Sequence, residues 1–130
     1  MNLRCLLPLL CATALALRAS DFALRDGDTV AFLGDSITAA GQYVTAFEAW
    51  LQTRDWPQRP VVIDAGLPSE TVSGLSEEGH AGGQFPRPAL SERLERVLKV
   101  TRPDLVIACY GMNCGIYQPF DPERFRRYQE

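Results

Sequence analysis

A serine placed just beyond a short apolar run is the first chemically suggestive feature of the sequence. Ser36 follows Thr29-Val30-Ala31-Phe32-Leu33 and the turn residues Gly34 and Asp35. Such a run reads as a strand passing into a helix, and the turn exposes a hydroxyl at the rim of an α/β sheet. Asp64-Ala65-Gly66 and Tyr110-Gly111-Met112-Asn113 close two later strand-like runs in the same way. Acyl transfer needs a nucleophile, a base and donors aimed at the oxyanion that develops on the carbonyl. Ser36 offers the hydroxyl and its own main-chain N–H. Gly66 offers a second N–H with no side chain to obstruct a substrate, and Asn113 offers a carboxamide. Each such donor is worth about 10²–10³ in rate. Gly34, Asp35 and Gly111 are the supporting turn residues.

These turns need elements to hold them. Tyr43, Ala46, Phe47, Trp50 and Leu51 recur at helical spacing after the first strand, and Pro57 and Pro60 end the pattern. Val61-Val62-Ile63 reads as a second strand buried on both faces. A turn-rich stretch from Leu67 to Pro88 follows. Leu90, Leu94, Val97 and Leu98 then mark a second amphipathic helix, with Glu92/Arg96 and Glu95/Lys99 at i,i+4 on its wet side. Leu105 to Tyr110 reads as a third buried strand, and Asp121-Pro122-Glu123 as the start of a further helix. Strands alternating with helices at this spacing imply parallel pairing through right-handed crossovers. The expected fold is a three-layer α/β/α sandwich with about three parallel strands. All three turns then lie at its carboxyl-terminal rim. A helix beginning so clearly after a third strand leads to the expectation of a fourth, and of a chain that is the amino-terminal part of a larger domain.

Residues 1–19 read as a secretory signal: Arg4, an apolar run from Cys5 to Leu17, then small residues near Ala19. The run is short for a bilayer crossing. Export, to the periplasm or beyond, is the expected destination, with residues 20–130 as one domain. The 13 basic and 16 acidic residues give a formal charge of −3; loss of Arg4 and Arg18 with the signal takes it to −5. A mildly acidic chain with no basic stripe argues against nucleic acid as a partner. Cys109 and Cys114 remain after cleavage. Cys109, in an apolar strand, is expected to be a small buried hydrophobe, and a Cys109–Cys114 bridge is the weaker alternative. No metal-ligand spacing and no cofactor motif is present.

Taken together, Phe32-Leu33-Gly34-Asp35-Ser36-Ile37-Thr38, Asp64-Ala65-Gly66-Leu67 and Gly111-Met112-Asn113-Cys114 resemble the first three sequence blocks of the SGNH/GDSL hydrolases. The stretches Gly79 to Pro88 and Tyr117-Gln118-Pro119-Phe120 resemble secreted bacterial members that act on carbohydrate esters. The resemblance implies a flavodoxin-like sandwich with the first strand central. It also implies a serine esterase with Ser36 as nucleophile, and Ser36, Gly66 and Asn113 as oxyanion donors. Its substrate would be an acyl or acetyl ester of a small molecule or carbohydrate. Two departures stand out. Cys114 replaces an aspartate that helps hold the asparagine turn in the family, and the closing Asp-x-x-His block is absent. His80, the sole histidine, reads as a loop residue rather than as a substitute base. A serine without its base is a poor nucleophile, so the chain alone is expected to be nearly inactive.

Two other classes compete. One is a carbohydrate-binding module using the same rim, with Tyr43, Tyr110 and Tyr117 as stacking faces. The other is a nucleotide-binding module, against which the first turn counts: it lacks both Gly-x-Gly-x-x-Gly and a phosphate-loop Gly-Lys-Ser/Thr.

Overall fold

The strand that precedes Ser36 lies at the centre of the sheet. In the computed structural model, which describes residues 24–129, β1 (Thr29–Gly34) pairs in parallel with β2 (Val61–Gly66) on one side and β3 (Leu105–Cys109) on the other. The expected export segment, residues 1–19, lies outside the described residues. A strand order of β2-β1-β3 moves the chain outward once and then back across β1. With right-handed connections, the two crossovers must run over opposite faces. The helices obey this. α2 (Gln42–Gln52) packs Val44 and Leu51 against Val30 and Phe32 on one face. α3 (Leu94–Thr101) lies on the other, with Val97 and Val100 beside Ala65. The result is a mixed α/β fold built on a three-stranded, all-parallel sheet.

Burial explains why β1 is central. Val30 and Ala31 are wholly inaccessible and Phe32 and Leu33 nearly so, which suits an apolar strand flanked and covered on every side. The Phe32 ring meets Tyr43 and Phe47 edge-on, at 5.6 and 5.2 Å between centroids. At the amino-terminal edge, Thr29 N–H donates to Asp104 Oδ2 (2.8 Å) and Asp104 N–H to Thr29 O (2.9 Å). That reciprocal clamp sets β3 in register with β1.

Several expectations are corrected here. The second and third strands are not buried on both faces, because each is an edge: Val61 is 54% and Val106 40% exposed. Cys109 is exposed rather than core, at the open end of β3, and both Cys109 and Cys114 are free thiols. The first helical pattern, Tyr43 to Leu51, lies within α2. A single turn, α1 (Ser36–Ala39), precedes α2, and Gly41 at φ 74° makes the bend between them. The bend rotates α2 so that Val44 is buried and Ala46 is exposed. Leu90 belongs to a separate 3-10 turn (Leu90–Glu92) ahead of α3. The predicted start of the last helix is present: Asp121 caps α4 (Pro122–Gln129) by accepting from Arg124 N–H at 2.6 Å. Among the described residues, no helix is long and apolar enough to cross a membrane.

Candidate functional site

Gly34 of β1 stands opposite Gly66 of β2 and opposite Cys109 of β3. The three strands therefore end level. Adjacent strands are about 4.8 Å apart, so Gly66 and Cys109 flank Gly34 within about 10 Å. Ser36 comes two residues after Gly34, and Asn113 four residues after Cys109. The three sequence-predicted residues are thus brought to one rim.

The Ser36 turn is held from beneath. Asp35, 2% exposed, caps α1 by accepting from Ile37 N–H at 3.0 Å; this is the ordinary work of an N-cap carboxylate. Ser36 is the first residue of α1 and is exposed. Thr38, fully buried, shares a 2.7 Å hydrogen bond with the Tyr43 phenol; burial, above all, raises that phenol's pKa. A Cβ on Gly34 would fall 1.8 Å from Thr38 Oγ1, so only glycine lets the Thr38 side chain sit on the end of β1. A Cβ on Gly66 would fall 2.2 Å from Ala39 N. Gly66 lacks a side chain because α1 packs there, which differs from the substrate clearance read from sequence. Its N–H is also occupied, donating to Asp64 Oδ1 at 2.9 Å.

Asn113 is 5% exposed, and both ends of its carboxamide are engaged. Nδ2 donates to the Glu70 carbonyl at 3.3 Å, and Oδ1 accepts from the Tyr117 hydroxyl at 3.5 Å. The amide is therefore held without a partner at position 114, where Cys114 is buried. Gly111, at φ 135°, takes a backbone conformation open to glycine and makes the turn that delivers Asn113.

Two ion-pair networks, one centred on buried Glu70 and one on buried Arg87, support this rim, and sequence reasoning missed both. In the first, Arg93 Nε and Nη2 each lie 2.6 Å from a different oxygen of the Glu70 carboxylate, and the Tyr110 phenol donates to it at 2.5 Å. Burial, then the hydrogen bond to Glu70, pushes the Tyr110 phenol well above its usual range. The hydrogen bond to Glu70 raises Arg93 further. One signal was visible: Arg93 falls on the apolar stripe of Leu90, Leu94 and Val97, where a cation needs a buried partner. In the second network, Arg87 grips Glu77 with two 2.7 Å bonds. Those bonds hold the Glu77 carboxyl down at about 2. The Arg87 guanidinium lies 5.3 Å from the Tyr117 ring centre, so this network reaches Asn113 through Tyr117.

His80 belongs to that second network. Its Nδ1 is 3.4 Å from Glu77 Oε1 and its ring meets Phe85 edge-on at 5.7 Å, while Nε2 is enclosed without a partner. Among the described residues, no imidazole or carboxylate is hydrogen-bonded to the Ser36 hydroxyl. Tyr43 and Tyr110 spend their hydroxyls inside the fold, leaving Tyr117, 64% exposed, as the accessible ring of the three. Among the described residues, no group of three His, Cys, Asp or Glu side chains is arranged to hold a metal ion. Comparison of the chain with family models, curated proteins and solved structures finds no match.

Proposed function

We propose that this rim is the nucleophile and oxyanion portion of a serine ester hydrolase of the SGNH/GDSL type, acting on acyl or acetyl esters of carbohydrates outside the cytoplasm. One observation carries the reading: β1 is central and its end is level with those of β2 and β3, so a hydroxyl, a glycine main-chain amide and a buried carboxamide share one edge. In the proposed reaction, Ser36 Oγ attacks the ester carbonyl. Negative charge on the carbonyl oxygen is met by Ser36 N–H, by the second hydrogen of Asn113 Nδ2, and by Gly66 N–H once Asp64 turns away. The ester C–O bond breaks and the alcohol leaves with the proton that Ser36 gave up; water then hydrolyses the acyl-serine, releasing the acid and restoring the hydroxyl.

Among the described residues no base is hydrogen-bonded to the Ser36 hydroxyl, so turnover by this chain is expected to be slow. A triad lacking a member retains about 10³–10⁴ over water, supplied by binding and oxyanion donors. Turnover of p-nitrophenyl acetate by the purified chain is the test. Weak hydrolysis that falls by about 10²-fold in Asn113→Ala agrees with the proposal. Hydrolysis indifferent to Asn113, together with calorimetric sugar binding undiminished in Ser36→Ala, refutes it in favour of a binding module.

A further inference from the structure

We propose that Glu70 is the positioning residue of this rim: its carboxylate locks the segments after β2, before α3 and after β3 together, and its main-chain carbonyl thereby fixes the Asn113 carboxamide. The inference rests on reading Ser36, Gly66 and Asn113 as one reacting centre. Glu70 is completely buried. A carboxylate withdrawn from water is strongly unfavourable unless opposite charge and hydrogen bonds replace its hydration. Here Arg93 and Tyr110 supply them. Apolar side chains of similar volume would hold three segments together equally well, but they would not fix orientation. A two-pronged guanidinium–carboxylate pair does.

The connections from this hub to the rim are short. Glu70 lies four residues beyond Gly66, in a turn closed by Glu70 N–H to Leu67 O (3.2 Å) and anchored to β1 by Leu67 N–H to Gly34 O (2.8 Å). Ser69 within that turn is held at φ 68°, a left-handed conformation that costs a non-glycine residue energy. Tyr110 lies three residues before Asn113. A displacement of the hub is therefore transmitted both to the Gly66 turn and, through the Glu70 carbonyl, to the Asn113 amide. In a reacting centre, a shift of about 1 Å costs about 10²-fold in rate.

The test compares Glu70→Gln, which keeps the shape and removes the charge, with Tyr110→Phe, which removes one strut and leaves the Arg93 pair. For p-nitrophenyl acetate, Glu70→Gln lowers kcat by about tenfold to 10²-fold with KM within about twofold. In an Asn113→Ala background the same substitution has a smaller effect, because only the route through the Gly66 turn remains, an interaction that a general loss of stability would not produce. Independently of activity, the Asn113 side-chain amide pair shifts and exchanges faster with solvent in both variants, as read by proton–nitrogen NMR. An Asn113 amide pair that stays put in variants that still melt cooperatively overturns the positioning role. Should Asn113→Ala leave turnover unchanged while that pair moves in Glu70→Gln, the hydrolase reading fails and the positioning of Asn113 by Glu70 stands.

Discussion

Gly66 donates its main-chain N–H to Oδ1 of Asp64, two residues earlier in β2, at 2.9 Å. The donor that a reacting carbonyl would need is thus held by an exposed carboxylate of the same strand. Asp64→Ala removes the competitor and is expected to raise ester turnover by about tenfold, the worth of one hydrogen bond to a charged group. Asp64→Asn keeps an acceptor oxygen and should give less. A fall in turnover in Asp64→Ala would mean that the carboxylate itself serves the reaction.

Gly66→Ala tests why the residue is glycine. The new methyl group would meet the backbone of Ala39 at 2.2 Å, an atom that cannot swing aside. Overpacking of this kind costs about 1–3 kcal/mol, or several degrees of melting temperature in a domain of this size. Because the clash is with α1, Ser36 moves as well, and labelling of Ser36 by a serine-directed phosphonate should slow. A variant as stable and as reactive as the parent would show that α1 does not need the close approach.

Acid should uncouple the Glu77–Arg87 pair. Arg87 holds the folded-state carboxyl at about 2, against 4.5 for an unperturbed glutamate. A depressed carboxyl contributes stability that is fully present above its unfolded value and is lost as pH falls toward the folded one. The expected loss lies between pH 4.5 and about 2. Urea unfolding across that window should show a steep decline for the parent and a shallower one for Glu77→Gln. Equal slopes would remove the pair from the stability of the loop.

Tyr110 should titrate late in alkali. Its phenol is raised by burial and by donating to Glu70, so it stays protonated after ordinary phenols ionise near pH 10. A raised phenol contributes stability that is present below its ordinary pKa and is lost as pH rises through the folded one. Ultraviolet difference spectra should lose one late-ionising component in Tyr110→Phe. Glu70→Gln, by weakening the acceptor, should bring that component to lower pH. No change in either variant would contradict the buried phenol–carboxylate bond.

The residues that carried the sequence reading well were those with one dominant physical role. The run Val30 to Leu33 is apolar on both faces, which only a flanked and covered strand tolerates, and β1 is that strand. Asp121 announced a helix start and caps α4; Asp35, read as a turn residue, caps α1. Position within the sheet was less legible. Val61-Val62-Ile63 and Leu105-Val106-Ile107 are as apolar as β1, yet their outer flanks lie open, because edge status is set by strand order rather than by composition. The reason for Gly66 was hidden for a similar cause: a missing side chain does not say which neighbour needs the space. Glu70 and Arg93, 23 residues apart, met through tertiary folding alone. Only the misplaced cation on an apolar stripe hinted at the pairing.

The clamp between Thr29 and Asp104 spans 75 residues, and it has a kinetic consequence. Of the three described strands, the one made first acquires its second flank only after residue 105 has been made. Until then a greasy backbone with unpaired amides is available to any passing chain. Assembly governed by contacts so distant in sequence is slow, so the Ser36 turn is shaped late, and the nascent polypeptide is most vulnerable while the residues between those two partners are still being synthesised.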